Sequence, residues 1–380
     1  MLRFFFVMNL FTIETPALVL DSIKLDRNLA RMRERIAGLG AHLRPHVKTA
    51  KCPDVVRRAV APGDGGITVS TLKEAEQFFA AGYRDILYAV GIAPNKLDHV
   101  VALRRKGCDL TVILDNLDAA RAVAHASADA GIALPALIEI DSDGQRAGVK
   151  PGTDQLLNIG RALGGNLRGV MTHAGGSYDC KAVSEIRVYA ERERAETVRC
   201  AEQLRAAGLM CPVVSVGSTP TATVAQSLAG VTEVRVGVYM LFDLFMAGLG
   251  VCVQDDIALS VLCSVIGHQP EKGWIITDAG WMALSRDRGT AAQKTDQGYG
   301  VVCDIEGHPL DSFIVTSANQ EHGIVSRRDG GAIDGSQFPI GTLLRVLPNH
   351  ACATAAQHAA YQVVSGSVEI DAVWPRFSGW

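Results

Sequence analysis

The stretch that decides the fold is residues 110–141, LTVILDNLDAARAVAHASADAGIALPALIEID. Residues 110–115 and 136–141 are short apolar runs of the kind that form buried strands. Between them, residues 117–131 have a helical pattern that ends at Gly131, and glycine is a frequent helix terminator. Two strands that are joined through a helix in this way run parallel. The stretch therefore predicts one strand–helix–strand unit of an α/β fold.

The same alternation of short apolar runs and amphipathic stretches extends over most of the chain before residue 240. It predicts about eight parallel strands separated by helices, the number that closes a (β/α)8 barrel. An open, doubly wound sheet is the alternative for such a pattern. We therefore expect a barrel over residues 15–250. The predicted strands are 18–21, 42–48, 66–70, 85–89, 110–115, 136–141, 168–173, 213–217 and 234–239, and the clearest helices are 23–38, 72–82, 117–131 and 183–208.

The pattern changes after about residue 255, where strand-like runs are joined by glycine-rich connections without a long helical pattern. We expect residues 251–380 to form a separate, mostly antiparallel β-domain, joined by residues 8–14. Met8 is expected to be the true start, with residues 1–7 an upstream extension and residues 9–13 a strand. The strands predicted for this domain are 259–267, 274–278, 298–304, 313–318, 342–347 and 361–364.

The composition is that of a globular protein, with 48% hydrophobic and 20% charged residues among 380 and a net charge of −3. It shows no basic excess for nucleic acid or an anionic membrane. The apolar run at residues 2–11 is far shorter than the ~20 residues of a membrane span, and no signal-peptide cleavage pattern follows it. Nine scattered cysteines without a Cys-x-x-Cys pair favour a reducing, cytoplasmic location.

Candidate catalytic residues cluster where the predicted strands end, at the edge of a barrel that usually carries the active site. The strand predicted at 42–48 ends in His46 and Lys48, which alternation places on one face. A lysine that closes a buried strand is a candidate for Schiff-base formation, because desolvation frees its amine as a nucleophile. The alternative is a rim lysine whose ammonium group reaches solvent.

Three later strand ends carry further polar residues. Arg146 could oppose a carboxylate or phenolate, although a lone arginine is also common on a solvated surface. His173 and Tyr178 follow the strand predicted at 168–173. Gly217-Ser218-Thr219 precede a helix that begins with proline, so backbone N–H groups and the helix dipole there could cradle a phosphate.

A possible metal-binding pair lies in the predicted β-domain, in the segment Pro348-Asn349-His350-Ala351-Cys352. If this segment is extended, His350 and Cys352 project on the same side. Imidazole and thiolate suit zinc or another borderline transition metal, and two protein ligands leave positions open for water or substrate. A chance occurrence of His-x-Cys is the alternative.

These segments resemble the D-serine dehydratase-like branch of the alanine racemase-like pyridoxal phosphate (PLP) enzymes. The resemblance covers nearly the whole chain past residue 14. The matching segments are TPA at 15–17, RPHVKT at 44–49, GITVSTL at 66–72, DILYA at 85–89, THAG at 172–175, VGSTPT at 216–221, DAGWM at 278–282, SRDRGT at 285–290, NQEHG at 319–323 and PNHAC at 348–352.

The resemblance implies a PLP-binding barrel with a β-domain, in a homodimer. Lys48 would be the catalytic residue that carries PLP, and His350 and Cys352 would bind a divalent cation such as Zn, Mn or Co. Gln320 and His322 would contact the substrate. The other residues implied to contact the cofactor are Arg146, His173 and Tyr178 around it and Gly217, Ser218, Thr219, Gly237 and Tyr239 at its phosphate.

The implied activity is a dehydratase (ammonia-lyase) that removes water from D-3-hydroxy amino acids. The expected substrate is D-threo-3-hydroxyaspartate, which would yield oxaloacetate and ammonia, with D-serine as the alternative. D-threonine aldolases often have aspartate in the place of Cys352, so the cysteine favours a dehydratase. A racemase, which would need no metal, and a non-catalytic PLP-binding protein, which would lack the second domain, are further alternatives.

Overall fold

The computed structural model describes residues 8–380, so the extension predicted at residues 1–7 lies outside the described residues. The described chain forms two compact units, one of residues 30–237 with 379–380 and one that combines residues 8–29 with 238–378. The predicted domain limits, 15–250 and 251–380 with 8–14 as the joining segment, stay a prediction. The first strand, β1 (Ala17–Asp21), belongs to the second unit, and helix α1 (Ser22–Gly38) follows it directly.

The first unit contains the predicted barrel. Its eight strands are all parallel, and their order around the sheet is β2-β9-β8-β7-β6-β5-β4-β3. A bridge between His46 and Thr68 joins the two ends, with Val47 N donating to Thr68 O at 2.9 Å. The predicted barrel is therefore confirmed, and the alternative of an open sheet is wrong. The strands are β2 (His42–Pro45), β3 (Ile67–Val69), β4 (Asp85–Gly91), β5 (Asp109–Leu114), β6 (Ala136–Ile140), β7 (Leu167–Thr172), β8 (Val213–Val216) and β9 (Glu233–Val236).

Helices alternate with these strands and begin and end where the sequence provides caps. Thr71 accepts the N–H of Glu74 at 3.0 Å, and Asn116 accepts that of Ala119 at 2.8 Å. Gly131 ends the helix of the opening stretch in the left-handed conformation, at φ 65°. The helices after α1 are α2 (Pro53–Ala59), α3 (Leu72–Ala80), α4 (Leu97–Arg105), α5 (Leu117–Ala130), α6 (Gln155–Leu163), α7 (Val183–Ala206) and α8 (Thr219–Val224).

The second unit is built on a nine-stranded sheet of order β11-β14-β13-β12-β15-β10-β1-β16-β17. All neighbours in it are antiparallel except β1 and β16, which confirms the predicted antiparallel β-domain. Its elements are β10 (Leu259–Gln269), β11 (Trp274–Thr277), β12 (Gly300–Cys303), β13 (Pro309–Ala318), β14 (Gly323–Arg327), β15 (Leu343–Pro348), β16 (Ala360–Val364), β17 (Ala372–Pro375), and the short helices α9 (Leu244–Gly248), α10 (Trp281–Leu284) and α11 (Ala351–Ala355).

Two sequence-based expectations for the N-terminal segment were wrong. The strand predicted at 18–21, counted with the barrel strands, is β1 and pairs with β10 and β16 instead. The strand predicted at 9–13 is a turn, with one bridge from Asn9 to Glu369. The side chain of Asn9 accepts the N–H of Phe11 at 3.0 Å, and this Asx-type bond turns the chain. Within residues 8–380, no helix has the length and apolar character needed to cross a membrane.

Candidate active site

Lys48 lies at the carboxyl end of the barrel, but not on a strand. The strand β2 ends at Pro45, and residues 47–50 form a turn that the bond from Lys51 N to Val47 O closes at 2.9 Å. The prediction of a strand through residue 48, and of one shared face for His46 and Lys48, was therefore wrong. Lys48 is exposed, which leaves its amine accessible for chemistry at this edge of the barrel.

Two histidines near Lys48 are held in the neutral form. Burial, followed by the charges of Lys48 and Arg235, holds the pKa of His46 well below its usual value. Burial also lowers the pKa of His173 to about 4, although a hydrogen bond to Gly217 opposes this shift. Nδ1 of His173 lies 3.0 Å from Gly217 O. Because a carbonyl oxygen only accepts, Nδ1 carries the proton and Nε2 is left as an acceptor.

Tyr178 and Arg146 lie at the same edge of the barrel. The ring centroid of Tyr178 is 5.9 Å from that of His173, and the tyrosine ends a short 3-10 turn, Gly175–Tyr178. The side chain of Arg146 is 64% exposed and pairs with Glu139 at 3.4 Å. Asp143, close to Arg146 in sequence, accepts the N–H of Gly176 at 2.8 Å. Arg146 therefore retains a solvent-accessible face for an anionic group.

The predicted phosphate cradle has fewer available backbone donors than the sequence suggested. Gly217 has φ +135°, and a Cβ there would lie 2.3 Å from Arg235 O, so only glycine fits. Its N–H donates to Glu193 Oε1 at 3.0 Å, and Ser218 N–H donates to Thr221 Oγ1 at 3.2 Å. These two donors are therefore occupied within the protein.

Thr219 differs from Gly217 and Ser218 in having a polar atom that remains available for a ligand. Its side chain is 2% exposed, and its Oγ1 has no hydrogen-bond partner among residues 8–380. A buried hydroxyl without a partner is costly, and a bound phosphate oxygen would satisfy it. Gly237 also fits a close approach, because a Cβ there would lie 2.9 Å from His46 O. The buried Tyr239 follows in the 3-10 turn Val238–Met240.

The candidate metal ligands lie in the second unit, at the start of α11. The segment 348–352 is not extended as the sequence-based argument required, because His350 caps the helix and Cys352 lies within it. The two side chains nevertheless hydrogen-bond to each other. Ala351 N–H donates to the buried carboxylate of Asp243 at 2.9 Å, which holds the start of this helix in place.

A carboxylate orients His350. Its Nδ1 lies 2.6 Å from Asp287 Oδ2. Burial opposes the charged imidazole, but hydrogen bonds to Asp287 and Cys352 raise the pKa of His350 to about 11. Asp287 and Cys352 therefore stabilise positive charge on this imidazole. Among residues 8–380, no group of three or more His, Cys, Asp or Glu side chains could hold a metal ion.

The predicted substrate residues Gln320 and His322 are exposed in the turn between β13 and β14. Backbone bonds from Trp281 N to Asn319 O (2.9 Å) and from Met282 N to Gln320 O (3.1 Å) hold this turn against α10. A Cβ at Gly280 would lie 2.4 Å from either acceptor, so glycine is needed for this approach.

The arginines of segment 285–288 have different environments. Arg286 lies over the ring of Trp281, 5.0 Å from its centroid, and Arg288 pairs with Asp296 at 2.6 Å. Asp287 bonds His350, not an arginine. Arg286 is therefore the better candidate of the two for a substrate carboxylate.

Comparison with known proteins identifies the family. The family model of the alanine racemase N-terminal domain matches residues 20–244. The family model of a putative serine dehydratase domain matches residues 258–364. The chain belongs to the D-serine dehydratase-like family. This membership in an alanine racemase-like fold supports the expectation of PLP as cofactor.

Relatives within this family match over nearly their full length. The chain is 56% identical to D-threo-3-hydroxyaspartate dehydratase of Delftia sp., covering 98% of this chain and 99% of that protein. It is 30% identical to D-serine dehydratase of Dictyostelium discoideum, covering 94% and 95%. The solved structure of the Delftia enzyme superposes with a TM-score of 0.95 over 98% of this chain and 97–100% of the Delftia chains.

Sequence reasoning missed four charged residues that lie at or near the candidate site residues. Glu139, Glu193 and Arg235 are buried in the first unit, and Asp287 contacts His350 in the second. Arg235 was detectable in principle, because it interrupts an otherwise apolar strand. Glu193 carried no such signal, since the surrounding residues 191–196, ERERAE, resemble a solvated helix surface.

Proposed function

We propose that this protein is a PLP- and divalent-metal-dependent dehydratase that removes water from D-3-hydroxy amino acids. The proposed substrate is D-threo-3-hydroxyaspartate, and the products are oxaloacetate and ammonia. The observation that carries the proposal is 56% identity, over nearly the whole of both chains, to the Delftia protein that bears this activity as its name. The presence of Lys48 and of the His350–Cys352 pair supports it.

The barrel residues fit PLP. When bound, PLP withdraws electrons from the α-carbon of an amino acid. Lys48 would hold it covalently, the buried hydroxyl of Thr219 would bind its phosphate, and Arg146 would oppose an oxygen anion. The exposed amine of Lys48, once displaced by the substrate, would take the α-proton as general base. The neutral His173 would act as a hydrogen-bond acceptor and would not compete for that proton.

The His350–Cys352 pair fits a borderline cation such as Zn, Mn or Co, because it offers nitrogen and sulfur donors and Asp287 orients the imidazole. A bound cation would supply a Lewis acid for the departing hydroxyl group, a poor leaving group by itself. One solved structure of the Delftia enzyme is a cysteine-to-alanine variant in the metal-free form, which is consistent with a metal in that protein.

Asp287→Ala is expected to weaken metal binding about 10- to 100-fold, the usual effect of removing the carboxylate that orients a metal-bound histidine. The reason is the 2.6 Å contact that directs the other imidazole nitrogen away from Asp287. Affinity is measured by competition with a chromophoric chelator. Asp329→Ala is the control, because that carboxylate pairs with Arg327 in the same unit. Equal affinities for all three proteins would contradict this role.

The proposed preference for 3-hydroxyaspartate over D-serine rests on the carboxylate that only 3-hydroxyaspartate carries on its β-carbon. Donors arranged for that carboxylate are left unpaired when D-serine binds, so the site discriminates against it. We expect kcat/KM for D-threo-3-hydroxyaspartate to exceed that for D-serine by at least about 100-fold. Candidate donors are the cation itself, Arg146, Arg286, Gln320 and His322.

Assays of ammonia and 2-oxo acid release with both substrates and with D-threonine test this preference. A kcat/KM for D-serine equal to or above that for the hydroxyaspartate would make the protein a D-serine dehydratase. Glycine and an aldehyde from D-threonine would make it an aldolase. A visible cofactor band without turnover of any of these substrates would indicate a non-catalytic PLP-binding protein.

Two further expectations accompany the proposed function. A cytoplasmic location is supported by the cysteines, all nine of which are described and none of which forms a disulfide. A homodimer is proposed from the family resemblance, and light scattering of the purified chain tests it.

A further inference from the structure

Glu193 is a buried carboxylate in the middle of α7 that no candidate site includes. It is 2% exposed, and its Oε1 accepts the N–H of Ala174 at 3.1 Å and that of Gly217 at 3.0 Å. The hydroxyl of Thr221 also bonds it. One carboxylate therefore joins a helix to the loop after β7, the loop after β8 and the first turn of α8.

Burying a carboxylate costs free energy. A buried charge must be compensated by hydrogen bonds or by an opposite charge. Here two amides and a hydroxyl compensate it, and the buried guanidinium of Arg235 is the positive charge that acts on it. Arg235 is itself fixed by Ser215 Oγ at 2.6 Å.

The two loops that Glu193 joins carry the candidate cofactor-binding residues. Ala174 directly follows His173, whose Nδ1 donates to the carbonyl of Gly217, so the same glycine is bonded to Glu193 on one side and to His173 on the other. The hydroxyl of Thr221 also accepts the N–H of Ser218, the residue next to Thr219 with its buried hydroxyl. Removing Glu193 would leave the amides of Ala174 and Gly217 without their acceptor.

We propose that Glu193 is a positioning residue that sets the geometry of the phosphate cradle at Gly217 and Thr219 and the orientation of His173. The inference rests on the proposed PLP-dependent function. Glu193 touches neither substrate nor cofactor in this role and acts through the two loops. Its effect is therefore expected on cofactor affinity, and most strongly on the part of that affinity that the phosphate provides.

The test is titration of the full-length apoprotein with PLP and, separately, with pyridoxal, which lacks the phosphate. Glu193→Ala is expected to weaken PLP binding about 10- to 100-fold, because two buried amides lose their acceptor. The same substitution should weaken pyridoxal binding by a factor about 10 times smaller than that for PLP. Glu193→Gln should remain within about 3-fold of wild type, since its amide oxygen still accepts both N–H groups and a threonine hydroxyl can accept its NH2.

Asn166→Ala is the matched control. Asn166 is also buried, and its Oδ1 accepts Leu134 N–H at 3.0 Å and Ser127 Oγ at 3.0 Å, but it lies just before β7, at the opposite end of the barrel strands. It should lose thermal stability without changing the ratio of PLP to pyridoxal affinity. If Glu193→Ala does not fold, Glu193→Asp, which keeps the charge but shortens the reach, should show the same fall in that ratio.

The outcomes separate the two hypotheses. An unchanged ratio in the folded Glu193 variants, with PLP bound tightly by wild type, would overturn the positioning role and leave the proposed function intact. Failure of the wild-type chain to bind PLP at all would overturn both.

Discussion

Lys48→Ala is expected to abolish both the visible absorbance of bound PLP and turnover. The amine of this residue is proposed to hold the cofactor and then to act as the general base, so its loss removes two functions together. General base catalysis alone contributes about 10²- to 10⁴-fold, and we expect a loss of at least 10³-fold. Absorbance spectra of the reconstituted variant and ammonia release from D-threo-3-hydroxyaspartate measure the two effects.

Lys51→Arg provides the matched control. Lys51 lies three residues further along the same turn region, and its ammonium pairs with the buried carboxylate of Glu74 at 3.3 Å. Arginine keeps that pair but does not form a Schiff base under these conditions. The variant should therefore retain the absorbance band and most of the activity. If Lys48→Ala kept the band and Lys51→Arg lost it, Lys51 would be the cofactor lysine.

The barrel was predictable because its signal is local and repeated. Most buried strands from 67 to 236 appear as apolar runs, and caps such as Asn116 and Gly131 mark the helices between them. The sequence did not show which of the two sheets the strand at residues 17–21 would join. An apolar strand next to a helix has the same pattern in either sheet, and its pairing with residues 259–262 depends on a contact across more than 200 positions.

Residues of the candidate site could be proposed from sequence where one residue type in one place suggests a chemistry, as for Lys48 and the His350–Cys352 pair, and their roles stay predictions. Its supporting contacts were not, because they join separate segments. Glu193 bonds an amide 24 residues away, and His350 bonds a carboxylate 63 residues away. Charged residues of this kind have the sequence context of a solvated surface until folding buries them. The availability of the cradle amides is likewise set by Glu193 and Thr221 and not by the loop sequence.

Cys352→Ala and His350→Ala are each expected to lose bound metal and water elimination while they retain the PLP absorbance. The two side chains lie in the second unit, away in sequence from the barrel residues proposed to hold PLP, so the cofactor band should not depend on them. Lewis-acid assistance is worth several kcal/mol, which corresponds to a rate loss on the order of 10³-fold. Metal analysis, absorbance and ammonia release are measured on the same preparations.

Chelation separates a loss of metal from a loss of structure. Chelator-treated wild type should regain activity when Zn, Mn or Co is added, whereas Cys352→Ala should not, because one of the two proposed metal ligands is gone. Cys252→Ala is the control, since that partly exposed cysteine of the same unit is assigned no role and its variant should respond to chelation and re-addition as wild type does. Water elimination at the normal rate by the metal-free wild type would refute the Lewis-acid role. The departing hydroxyl group would then have to be protonated by a side chain, for which His322 would be the first residue to replace.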